Sequence, residues 1–123
     1  MKHILASVMI FLGGAGLPAT GQSFSDGVNA YNAGNYIAAY ENFKPLAEQG
    51  NASAQYNLGL TYGRGLGVPL SNVKAHMWAN IAAANGGDSS LRDLIAKALT
   101  SAQIAEAQRL ARICMASDYQ DCD

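Results

Sequence analysis

Charge, cysteine and histidine are all scarce in this chain. Asp, Glu, Lys and Arg make up 14% of its 123 residues, against roughly 25% in an average soluble domain, which argues against a long disordered tail. Lys and Arg number 8 against 9 Asp and Glu, a net charge of -1. No basic surplus is therefore available to hold nucleic acid or an anionic membrane by charge alone. Two histidines and two cysteines exclude most metal enzymes and cysteine-cluster proteins. Val, Ile and Phe are also few, whereas alanine supplies 22 residues, a balance that favours closely packed helices over sheet. The length suits one domain.

The first residues read as an address. Lys2 and His3 precede an uncharged stretch, Ile4 to Leu17, that is almost purely apolar as far as Leu12. Pro18 and small residues follow, with Ala19 and Gly21 at positions -3 and -1 if cleavage falls before Gln22. A basic start, a short apolar run and a small-x-small exit are the parts of a secretory signal peptide. The uncharged run of 14 residues falls short of the ~20 that span a bilayer as a helix. No cysteine lies near the cleavage point, which argues against a lipid anchor. The expectation is a cleaved signal over residues 1–21 and a periplasmic or secreted domain over 22–123, without stable membrane insertion. Cleavage leaves 102 residues and, by removing Lys2, a net charge of -2.

Export decides how the cysteines read. Cys114 and Cys122 are the only pair, and an oxidising destination favours a bridge between them. It would close a nine-residue loop, worth about 2.5 kcal/mol in the chain-entropy treatment. A redox or nucleophilic thiol would want C-x-x-C spacing or a histidine close by, and neither is present. Two thiols and His76 leave a zinc site one ligand short.

The chain compared with itself shows two degenerate copies. Tyr31-x-x-Gly34 matches Tyr62-x-x-Gly65, and Ala47-x-x-Gly50 matches Ala83-x-x-Gly86. The second copy is longer by the segment Gly65-Leu66-Gly67-Val68-Pro69, where the first turns quickly through Gly34-Asn35. Each copy reads as helix, turn, helix. The first holds a helix from about Asp26 to Ala33 and another from about Tyr36 to Gln49, in which Pro45 removes one backbone bond or introduces a kink. Asn51 is placed to cap a helix with Ala54, Leu58 and Tyr62 on one stripe, ended by Gly63 or Gly65. Ser71 is placed to cap the next, with Lys74, Trp78, Ile81, Ala82 and Asn85 at helical spacing before Gly86-Gly87. Asp88 or Ser89 starts a short helix with Leu91, Leu94, Ile95 and Ala98. Thr100 and Gln103 have capping-box spacing for a last helix with Ile104, Ala107, Ala111 and Cys114 on one face. The fold class is all-α, with six helices in about three antiparallel pairs forming a short α/α solenoid.

Residues 51–86 carry a specific resemblance. Ala52-x-Ala54-x3-Leu58-Gly59-x2-Tyr62-x2-Gly65-x-Gly67-Val68, then Lys74-Ala75-x2-Trp78 and Ala82-Ala83-x2-Gly86, resembles a Sel-1-like repeat, a relative of the tetratricopeptide repeat. Residues 27–50 are similar to a tetratricopeptide-style half match through Tyr31, Gly34, Tyr36, Ala39 and Pro45 to Gly50, without the Gly-x-Gly-Val loop. Residues 88–123 form a closing segment, of which Gln103 to Ala111 resembles the last helices of short exported bacterial members. The resemblance implies a non-catalytic adaptor that binds another protein, here one of the cell envelope, with no cofactor. Neighbouring repeats and a terminal cap are what such stacks need, since no repeat buries its apolar face alone.

Sharper site readings are weaker. Gly63 to Gly67 follows a helix rather than a strand and lacks the lysine of a phosphate-binding loop. His76, two residues from Trp78, is expected on a different helical face and exposed, so a general base there is a minor reading. Asp118, Asp121 and Asp123 read as a solvated tail rather than a calcium site. Tyr31, Tyr36, Tyr40, Tyr56 and Tyr62 are mostly assigned to packing, with one or two lining a groove. Asn57, Leu60 and Arg64 recur at i, i+3 and i+7, off the Leu58/Tyr62 stripe, and are the candidate partner groove. The alternative function is a cell-wall ligand binder or a weak β-lactam or peptidoglycan hydrolase, since cysteine-rich exported relatives are linked to penicillin binding. This chain has one cysteine pair, and its one S-x-x-K match, Ser71-Asn72-Val73-Lys74, falls where Ser71 is placed to cap a helix. In the tail, Ser117-Asp118 offers the reversal that brings Cys122 back to Cys114, with Tyr119 packed over the end of the last helix.

Overall fold

A computed structural model describes residues 23–123. The expected signal segment, residues 1–21, lies outside the described residues. Six α-helices follow one another: α1 (Phe24–Asn32), α2 (Tyr36–Ala47), α3 (Ala52–Arg64), α4 (Asn72–Ala84), α5 (Ser90–Ala96) and α6 (Ser101–Ala116). No strand occurs among the described residues.

Short polar side chains start most of these helices by accepting an orphan backbone N–H. The Asn51 side chain accepts from Ala54 N at 2.8 Å and Ser71 Oγ from Lys74 N at 3.1 Å. Thr100 and Gln103 form the reciprocal capping box, each side chain bonded to the other's backbone N–H. Gly65, left-handed at φ 65°, ends α3. Helix α2 runs through Pro45 in its last turn and stops at Ala47, two residues before the expected end.

Helices α1 and α2, and α3 and α4, pack as consecutive pairs, with α2 joined to α3. Loops this short make neighbouring helices antiparallel. The third pair is more open, because α5 and α6 each pack chiefly on α4. Helix α4 is thus the centre of the fold, enclosed by α3, α5 and α6.

Ala75, His76, Met77, Trp78 and Ala79 are consecutive and all buried. This corrects the expectation for His76, which is only 2% exposed. Periodicity presumes one wet face, whereas a helix packed on three sides has almost none. Trp78, Phe43, Leu58, Met77 and Ile81 fill the core. Alanines and Gly59 let the helices close on one another. A Cβ on Gly59 would stand 3.3 Å from the Ala75 carbonyl oxygen and 3.2 Å from Leu91 Cδ2. The longer loop of the second copy lies against the start of α2. Gly67 has φ 81°, and a Cβ there would stand 2.6 Å from the Tyr36 carbonyl oxygen. Only glycine meets both conditions.

The tail closes the stack. Cys114, buried on α6 with Ala107 and Ala111, is disulfide-bonded to Cys122. The reversal falls at Asp118 and Tyr119, both left-handed, with φ 55° and 63°. Tyr119 reaches further than the end of α6. Its ring approaches Gly50, and its hydroxyl lies 2.9 Å from Asn85 Nδ2. Asn85 also donates to the wholly buried Gln55, whose own amide donates to the Ala47 carbonyl, both at 2.9 Å. One polar chain therefore ties the end of α2, the start of α3, the end of α4 and the tail.

Candidate functional site

Helices α1, α3 and α5 share one side of the molecule, with α3 in the middle. The stripe of α3 formed by Ala54, Leu58 and Tyr62 turns inward and is buried. Helical geometry then sends Asn57, Leu60 and Arg64 the other way. Asn57 and Leu60 are half-buried and Arg64 is exposed.

These three residues border two clefts. Between α1 and α3 lies a depression of about 190 Å³ lined by Val28, Tyr31, Asn57, Leu60 and Arg64, with Phe43 at its floor. Between α3 and α5 lies a larger one of about 510 Å³, whose walls include Tyr56, Leu60, Arg64, Leu94 and Lys97. Leu60 and Arg64 belong to both. A third depression, about 320 Å³, continues past Tyr56 and Asn57 to Phe24 and Asp88. The clefts together make one lengthwise trough.

The Arg64 guanidinium donates to the Tyr31 hydroxyl at 2.6 Å, which fixes the arginine across the α1/α3 cleft. Tyr31 is held in turn by an edge-to-face contact with Tyr36, centroids 5.3 Å apart. Arg64 has no carboxylate partner among the described ion pairs, so its charge is available to a ligand. Asp93 and Lys97 place one charge of each sign on the α5 wall. Leu94 on the same helix is 62% exposed. The chemistry offered is binding: apolar and aromatic surface, an oriented arginine and an asparagine amide.

Of the tyrosines, Tyr31 and Tyr56 line the trough, while Tyr62 is buried behind it. Leu94, Asp93 and Lys97 are trough residues that the sequence reading missed. Their exposure is set by how α5 leans on α3 and α4, and no local pattern encodes that.

The remaining candidates separate in space. His76 sits in the core, its Nδ1 without a hydrogen-bond partner. Burial lowers its pKa below the usual histidine value, helped by Arg92 and opposed by Asp93. Among the described residues no group of three or more His, Cys, Asp or Glu is placed to hold a metal ion. Nor is any described helix long and apolar enough to cross a membrane. Asp123 of the tail bonds to Lys44 instead, at 3.3 Å.

Stacked helix pairs with a trough along one side define a short α/α solenoid. The chain belongs to the Sel1 repeat family, whose profile matches residues 20–51 and again residues 52–87. The first copy is therefore matched along with the second, although it lacks the Gly-x-Gly-Val loop. No curated protein and no solved structure matches the chain. Sel1 repeats generally mediate protein–protein interaction and are a non-catalytic scaffold type.

Proposed function

We propose that this chain is an exported, non-catalytic adaptor of the cell envelope that holds a partner protein along the α1–α3–α5 trough. The observation that carries this reading is the position of Leu60 and Arg64, which line both clefts flanking the central helix. A single bound segment would meet an apolar side chain and an oriented cation wherever it crosses α3. The basic, apolar and small-x-small parts of residues 1–21 support export, and the Cys114–Cys122 bridge suits an oxidising compartment.

The test is affinity capture from envelope extract, comparing the wild type with a variant carrying Asn57→Ala, Leu60→Ala and Arg64→Ala. All three side chains are at least partly exposed, so helical content should survive. The variant is expected to lose the partner that the wild type retains. Equal recovery of every partner by both proteins would contradict the assignment. Mass determination of the protein recovered from periplasm or medium should show a chain beginning near Gln22.

A further inference from the structure

A second pocket lies away from the trough, between α2, the end of α3 and the start of α4. Its volume is about 460 Å³. Tyr40 and Tyr62 line it, with their hydroxyl oxygens 3.2 Å apart. One of the two hydroxyl protons serves that mutual bond. The other has no acceptor among the described hydrogen bonds and is free to donate.

Two ammonium groups flank the pair. Lys74 Nζ lies 5.5 Å from the centre of the Tyr62 ring, and Lys44 Nζ lies 5.8 Å from that of Tyr40. Lys74 makes no ion pair among the described residues. Lys44 pairs with Glu48 at 3.4 Å along its own helix and with Asp123 of the tail at 3.3 Å. Burial opposes the charge on Lys44, but Tyr40, Asp123 and Glu48 outweigh it and raise its pKa. The outer wall is apolar, formed by Val68, Pro69 and Leu70, and Leu70 is 60% exposed.

We propose that this pocket recognises the carboxylate of an acidic side chain, set beside an aliphatic one, on a partner protein, and that Asp123 of the chain's own tail competes for it. Asp123 is the internal example of the ligand. Its carboxylate borders the pocket and bonds one of the two lysines, while Lys74 and the spare tyrosine proton remain unused. The tail holds it loosely. Its side chain is 67% exposed, and such ion pairs exchange readily. Cys122, one residue earlier, is buried and bridged, so the acid stays close to the pocket even when displaced. Lys44 keeps Glu48 when Asp123 leaves, so opening the pocket strands no charge.

The experiment titrates the full disulfide-bonded chain with the capped peptide acetyl-Leu-Asp-Leu-amide, followed by nuclear magnetic resonance. Acetyl-Leu-Asn-Leu-amide is the control. Shifts are expected at Tyr40, Tyr62, Ser71 and Lys74 with the acidic peptide and not with the control. Asp123→Asn should bind the acidic peptide about 1.5- to 5-fold more tightly than the wild type, the range an exposed ion pair supports. Lys74→Gln should weaken it, and Lys74→Arg should restore it. Equal affinity of the wild type and Asp123→Asn overturns the competition by the tail. Equal shifts with both peptides, or none at the four residues in Asp123→Asn, overturn the site itself.

Discussion

His76 is enclosed on α4, and its Nδ1 has no partner. Taking a proton there would place a charge in the core beside Arg92, so the folded pKa lies below the unfolded value of about 6.5. At low pH the unfolded chain then binds more protons than the folded one, and stability rises with pH. The contribution is fully present above about 6.5 and is lost as pH falls from there toward the lower folded value. The urea midpoint of the wild type should therefore drop between pH 7 and pH 5, and His76→Gln should show a smaller drop. Identical pH profiles would remove His76 as the cause. The residue also marks a limit of sequence reading. Its burial follows from packing on three sides of α4, which no single-helix pattern can express. Ala54, Leu58 and Tyr62 were legible because α3 keeps one face outward, so their spacing still records which side is in.

At the scale of elements, local chemistry wrote most of the fold into the sequence. Asn51, Ser71 and the Thr100/Gln103 box start the helices that their spacing predicts, because a cap is a contact within four residues. Helix ends were less legible. Helix α1 begins two residues before the expected Asp26, at Phe24, where Ser23 caps it by accepting from Asp26 N. The loop between α3 and α4 makes a tighter prediction. Gly67→Ala combines a left-handed backbone with a Cβ pressed on the carbonyl of Tyr36, and should destabilise the domain by about 2–4 kcal/mol. Chemical denaturation measures this directly. A change under about 0.5 kcal/mol, ordinary for an innocuous surface site, would mean that the loop does not seat on α2 as described.

Across the whole molecule, the tail is what joins first copy, second copy and closing helices. Tyr119 meets Asn85 and approaches Gly50, and Asp123 meets Lys44. Replacing both Cys114 and Cys122 with serine should lower stability by about 2–4 kcal/mol while leaving most helical content, as read by circular dichroism and urea unfolding. An unchanged midpoint would reduce the bridge to an incidental crosslink. The cysteine pairing was legible because Cys114 and Cys122 are the only two cysteines, whereas the polar chain from Gln55 through Asn85 to Tyr119 joins positions tens of residues apart and leaves no local trace. The trough was half legible. Asn57, Leu60 and Arg64 follow from the α3 pattern, but the opposing wall depends on how α5 docks. That wall supplies the most direct test of the central claim, that the partner lies along α1, α3 and α5. A photocrosslinking amino acid at Leu94, exposed in the trough, is compared with one at Ala105, exposed on α6. In cells, the account predicts a discrete partner adduct from position 94 and none from position 105. Adducts of equal yield from both, or from position 105 alone, would contradict it.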